Sequence, residues 1–286
     1  MTYYEIKPGQ LLQQYVKCYY VYESSSPAAF EDTVFPSGCM EIIFNLGSGN
    51  WQTQTGDTFV TTPPIELWGQ LNGPLPVRSV GRNTMLGVRF FPHAAASLLT
   101  DNINLFNNQI VDYRDVADRS VHTLYAQLQE TRSWNKRITL LETFLLKQTA
   151  GAGKRLSKVA VVNDLMYELR QQEAFYTMET LASRHGISAR YMQQLFLQYT
   201  GLTPKLYSQI NRFQQSLRLV TTRSTSLTDI AYECGYADQS HFIKEFKSFT
   251  GFTPSGYSID NSPVTLAANQ QQDELEIEEK AEIAIS

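Results

Sequence analysis

Two stretches of this sequence carry side chains suited to reading the edges of base pairs, at matching places. In the first, Ala189, Arg190, Gln193 and Gln194 recur opposite an apolar helical stripe; in the second, Gln239, Ser240, Lys244 and Lys247 do. Arginine and lysine donate to guanine O6 and N7, and glutamine pairs with adenine N6 and N7. Ser188 and Asp238 each stand just before one of these helices, as N-caps. His241 joins the second set. Arg212, with Arg184, Lys205 and Arg218, sits where phosphate contact or helix packing is the expected role. Taken singly, each is an ordinary solvated helix residue. As a matched set they point to contact with double-stranded DNA.

The match is an internal repeat. Residues 181–207 return as 230–257: Leu181, Ala182 and Gly186 answer Ile230, Ala231 and Gly235 at an offset of 49. One extra residue enters near Ala237, after which Phe196, Thr200-Gly201, Thr203-Pro204 and Tyr207 answer Phe246, Thr250-Gly251, Thr253-Pro254 and Tyr257 at 50. Each copy has a short helix, a glycine turn where φ > 0 is favoured, and a second helix. The second helices are predicted to bury Met192, Leu195, Phe196 and Tyr199 in one copy, and Phe242, Phe246 and Phe249 in the other. Thr-Pro then gives the following helix a cap and an N1 proline. Two helix-turn-helix modules are the result.

A rod must hold the modules apart. Leu206, Ile210, Phe213, Leu217 and Val220 recur at helical spacing, predicting one helix from Pro204 to Thr222. Such a helix is about 28 Å long, close to the ~34 Å between successive major grooves on one face of B-DNA.

Residues 155–258 resemble the AraC/XylS family of bacterial transcription regulators, through both copies and above all Gly235-Tyr236, Phe242, Phe246-Lys247 and Thr250-Gly251-Phe252-Thr253-Pro254. The resemblance implies a seven-helix DNA-binding domain. Leu197 and Gln194 depart from the basic residues frequent at their places in relatives, which implies weaker phosphate anchoring or a different base preference in the first module. Phe35–Leu46 and Leu86–Ala96 resemble an N-terminal domain carried by some members, which implies a β-barrel-like sensor or dimerisation domain.

The remaining chain fits an α+β organisation. Short apolar runs at 40–46, 57–62, 65–71, 77–80 and 85–91, separated by Gly and Pro, predict a β-barrel or sandwich up to about residue 92. A helix from Pro92 and a helix pair at 115–129 and 134–149 follow, and Gly151-Ala152-Gly153 is the expected linker. Val159, Val162, Leu165, Met166 and Leu169 open the all-helical part. The expected domains are therefore 1–150, for sensing or dimerisation, and 154–258, which should fold alone and bind DNA as a monomer. The acidic 259–286 segment reads as a disordered, dispensable tail. Charge follows the same partition: −2 over 1–149, +4 over 150–258 and −6 beyond, summing to −4.

Other chemistries are poorly supplied. The four histidines show no paired spacing, so neither a metal nor another cofactor is expected. Cys18, Cys39 and Cys234 cannot form a paired framework or the zinc-held cluster of alkylation-repair regulators; core packing is expected for Cys39, with thiol sensing as the alternative. Glu41 and Arg89 are expected to form a buried pair, or else to bind a polar ligand. No signal peptide or membrane span is read, so the expected location is the cytoplasm. A non-enzymatic transcription regulator, an activator, is expected, with RNA polymerase, a small-molecule effector and a second copy of the chain as further partners. The alternatives are a cupin-like enzyme or metal-binding domain fused to a DNA-binding module, and a module that binds other regulators without DNA.

Overall fold

The computed structural model describes residues 2–24, 29–99, 102–149, 156–170, 177–222 and 225–257. The expected linker at 151–153 and the acidic tail lie outside them. Among the described residues there are ten strands: β1 (Thr2–Ile6), β2 (Val16–Ser24), β3 (Phe30–Val34), β4 (Met40–Asn45), β5 (Asn50–Thr55), β6 (Thr58–Thr61), β7 (Ile65–Trp68), β8 (Leu75–Val80), β9 (Asn83–Phe90) and, after the first helix, β10 (Ile110–Asp112). They build a six-stranded sheet in the order β1-β2-β9-β4-β7-β10 and a four-stranded sheet in the order β3-β8-β5-β6. The strands thus form two facing sheets, and the barrel-like expectation resolves to a sandwich.

Alternation along the larger sheet divides its side chains between two cores. Tyr20, Tyr22, Ile43 and Met85 point to the smaller sheet, where they meet Trp51 and Val77. Tyr19, Val21, Ile42, Phe44, Leu86 and Val88 point the other way, toward the helices. Both faces are buried along Cys18–Tyr22, so this part of β2 reads as a continuous run rather than an alternating one. Gly87 faces Tyr20 across the β2–β9 pair, and a Cβ there would lie 2.0 Å from the ring. Only glycine leaves room for that ring.

The helices are α1 (Ala95–Leu98), α2 (Ser120–Glu130), α3 (Trp134–Thr149), α4 (Leu156–Arg170), α5 (Met178–Arg184), α6 (Ala189–Thr200), α7 (Pro204–Thr222), α8 (Leu227–Glu233) and α9 (Gln239–Thr250). The helix expected from Pro92 is a short α1, and α2 starts later than the spacing predicted. Val159, Val162, Leu165 and Met166 of α4 are buried. Among the described residues, six α-helices lie between 156 and 250, and a turn follows Thr253.

The core does not stop at the linker. One continuous apolar cluster runs from Val21 and Phe44 in the sheet, through Leu99, Ile103 and Phe106, to Phe196, Ile210 and Phe213 in the helices. The turn 35–38 leaves the sheet and lies on α7. Phe35 meets Phe213 and Tyr257 edge to face at 6.4 and 6.0 Å, and Gln214 Nε2 donates to the Pro36 carbonyl at 2.6 Å. A second contact caps α6: Asn107 Nδ2 donates to the Gly201 carbonyl at 2.6 Å.

Candidate nucleic-acid interface

The two modules are built alike, as the repeat requires. Thr177 and Ser226 cap α5 and α8, accepting from the backbone N–H of Thr180 and Asp229. Gly186 and Gly235 take the positive φ of the turns, at 65° and 72°. The extra residue of the second copy lies in its turn: four residues separate α5 from α6, and five separate α8 from α9. Gly201 and Gly251 end α6 and α9 in the left-handed conformation.

Each second helix buries one face and exposes the other. On α6, Met192, Leu195, Phe196 and Tyr199 are buried while Arg190, Gln193, Gln194 and Leu197 form an exposed stripe. Tyr191, also exposed, extends that stripe; its place beside Arg190 was its only signal in the sequence. On α9, Phe242, Phe246 and Phe249 are buried while Ser240, His241, Lys244 and Lys247 are exposed.

Five of the residues singled out in the sequence are engaged by the protein itself. Ala189 is half-buried against the core rather than turned away from it. Ser188 Oγ accepts from the Tyr191 N–H, and Asp238 Oδ1 from the His241 N–H, so both act as helix caps. Gln239 is half-buried, and its Oε1 accepts from the Thr228 hydroxyl at 3.0 Å. Arg212 goes furthest. Its guanidinium makes a forked contact with Glu245 at 2.8–3.1 Å and lies over the Tyr236 ring, 4.5 Å from its centre. Of its two expected roles, the geometry shows helix packing. Burial works against its charge, but Glu245 outweighs burial and raises its pKa.

Glu245 is the residue that pattern reading passed over. It is buried on α9, accepts from Arg212 and from Gln209 Nε2, both on α7, and so bolts α9 to α7. His241 Nε2 lies 3.7 Å from the same carboxylate. The signal was present: Phe242, Glu245, Phe246 and Phe249 share one stripe, and an acid at a core position needs a buried partner. The equivalent place in the first copy holds Leu195. At the first turn the anchor is Glu168 of α4, 2.8 Å from His185 Nε2 and 3.0 Å from Arg184.

The remaining candidate chemistries are placed as follows. Among the described residues, no group of three or more His, Cys, Asp or Glu side chains could hold a metal ion. His93 is buried, its ring Nε2 is 3.1 Å from the Gln14 carbonyl, and burial lowers its pKa. The three cysteines are buried thiols. Burial raises the pKa of Cys39, and that of Cys234 to about 12, the opposite of what a reactive thiol needs. Glu41 and Arg89 form the expected pair, Nε to Oε1 at 2.8 Å. No helix among the described residues is long and apolar enough to cross a membrane.

Comparison with known proteins adds two family matches. Residues 4–112 match a domain of unknown function (DUF6597), and residues 181–258 match a helix-turn-helix domain. The HTH-type transcriptional activator RhaS of Escherichia fergusonii is 36% identical over 76 residues, 27% of either chain. RhaS of Enterobacter sp. is 30% identical over 122 residues, 42% of this chain and 44% of that one. The chain thus spans less than half the length of either relative. Among solved structures, ToxT from Vibrio cholerae aligns over 83% of this chain and 96% of its own, with a TM-score of 0.46 and 14% identity.

Proposed function

We propose, because the chain belongs to the AraC/XylS family of helix-turn-helix proteins through residues 181–258, that it is a sequence-specific DNA-binding transcription regulator. The observation that carries this reading is the pair of exposed polar helix faces held on one rod. Arg190, Gln193 and Gln194 on α6 read one half of a site, and Ser240, His241, Lys244 and Lys247 on α9 the other. An α-helix fits the major groove, where these side chains reach base edges. The 19 residues of α7 span about 28 Å, which suits two successive grooves. The fixed geometry of Arg212 and Glu245 supports a constant separation.

The protein acts as an activator in the cytoplasm, with RNA polymerase as a partner and its N-terminal half as the control element. The RhaS relatives, named as activators, favour that sign of regulation. The unbroken packing from sheet to rod supports control from the N-terminal half, whether by a small molecule or by a second copy of the chain. The expected boundary between the halves stays at 150–154.

A footprint tests the reading. Two protected patches about 10 base pairs apart on one face are expected. Inserting about 5 base pairs between the halves turns one of them to the opposite face and should weaken binding strongly. Unchanged affinity would mean that a single module reads DNA. Negligible salt-dependent binding to any duplex would favour a module that binds other regulators without DNA.

A further inference from the structure

The 50-residue offset of the repeat holds along the whole of α6 and α9. Each has 12 residues, opens on a side-chain cap (Ser188 or Asp238) and closes on a left-handed glycine, Gly201 or Gly251, with φ of 76° and 82°. Each follows a first helix of seven residues. Their buried faces coincide as well: Met192, Leu195, Phe196 and Tyr199 answer Phe242, Glu245, Phe246 and Phe249. Two helices of one length, capped and seated alike, present corresponding positions at the same place on their outer faces.

A recognition helix of this kind touches base edges with its N-terminal turns. In the first two turns three exposed positions correspond: Arg190 with Ser240, Tyr191 with His241, and Gln194 with Lys244. The first pair sets no clear contrast, since a serine hydroxyl bonds to more than one base. In the second, a phenol both donates and accepts, and His241 Nε2 already lies 3.7 Å from the Glu245 carboxylate. The third pair differs in kind. The Gln194 amide donates and accepts at once, which matches N7 and the N6 amino group of adenine. The Lys244 ammonium only donates, which matches O6 and N7 of guanine and leaves the amino group of adenine without an acceptor.

We infer that the two modules select different bases at the corresponding place of their half-sites, Gln194 an adenine under α6 and Lys244 a guanine under α9. The site is then made of unlike halves, and the chain lies on it in one orientation. The inference rests on the reading of both modules as DNA readers and names the base that each selects.

Selection from a pool of random duplexes by the full chain tests it, with Gln194→Lys, Lys244→Gln and the double exchange run in parallel. Both side chains are exposed, so the variants should keep the far-ultraviolet dichroism and melting temperature of the unaltered protein. The unaltered chain should enrich two boxes about 10 base pairs apart, with the adenine in one and the guanine in the other. Gln194→Lys should turn the adenine into guanine and leave the second box as it was. Lys244→Gln should turn the guanine into adenine and leave the first. In the double exchange the two bases should trade boxes, each preferred on the order of tenfold in competition between the enriched duplexes. Two enriched boxes whose bases stay the same in all three variants would overturn the inference and leave the DNA-binding reading standing. A loss from Lys244→Gln that is uniform over all sequences would do the same, because it marks a phosphate contact. A pool with no enriched sequence would sink the reading of the modules as sequence readers, and this inference with it. Should a variant fail to fold, the unaltered chain still decides: one and the same base at the corresponding place of both boxes counts against unlike halves.

Discussion

Lys244 is exposed on α9, and a side chain of its length is able to reach a guanine edge. Replacing it with Ala should weaken binding to the specific site by about 1–3 kcal/mol and relax preference at one base pair. Competition binding against sites altered one position at a time measures both. A uniform loss, with the salt slope lower by about 1, would mark a phosphate contact instead. A second residue carries a pH prediction. Glu66 is buried, accepts from the Thr62 hydroxyl and the Trp68 indole at 2.6 Å each, and burial pushes its pKa up from 4.5 to about 7. The unfolded chain ionises it near 4.5, so the folded state binds the extra proton between those values. Its contribution is therefore complete below pH 4.5 and is lost as pH rises through about 7, a difference of about 3 kcal/mol. Urea unfolding at pH 5 and pH 8 should show that loss, and Glu66→Gln should remove most of it. The exposed faces of α6 and α9 were legible because a helix stripe specifies its opposite face. Arg212 was ambiguous for a physical reason: a long cation on a half-buried face can turn outward or inward, and only Glu245, 33 positions away, decides.

At the scale of elements, α7 and α9 act as one piece because of that ion pair. Glu245→Ala leaves the half-buried Arg212 without its counter-charge and should cost about 3 kcal/mol of stability. Replacing both Arg212 and Glu245 with Met should recover most of the loss, since an apolar pair of similar volume leaves no charge behind. Thermal unfolding of the three variants is the measurement. The helices were far more legible than the strands. The spacing of Leu206 through Val220 predicts 204–222, and α7 occupies those residues. Strands β1, β2, β3, β5 and β10 escaped the pattern. β2 pairs with β9, more than sixty positions away, and buries both faces, so it shows no alternation. β5 is Asn-Trp-Gln-Thr-Gln-Thr, polar by composition, and takes its form from pairing with β6 and β8. Strand preference follows a surface to fit, and that surface is made by distant residues.

For the whole molecule, the shared core sets how independent the two halves are. A fragment of residues 154–258 should remain helical but unfold at a lower temperature than the full chain, because Phe35 and Phe106 no longer cover Phe213 and α6. Circular dichroism melting checks this, and a molten fragment would overturn the proposed boundary. Asn107→Ala should cost the full chain about 1 kcal/mol by removing the bond to the Gly201 carbonyl.

The seat of Gly201 also constrains descent. A Cβ there would lie 2.7 Å from Asn107 Oδ1, and the residue's φ of 76° already disfavours any side chain. A gene fusion that joined this sheet to a foreign reader domain would have to bring glycine at that place and an apolar seat for Phe35. Where recombination supplied neither, the hybrid would inherit both activities and no firm joint between them. A working hybrid of either half with a foreign one would therefore have to rebuild both features at the joint.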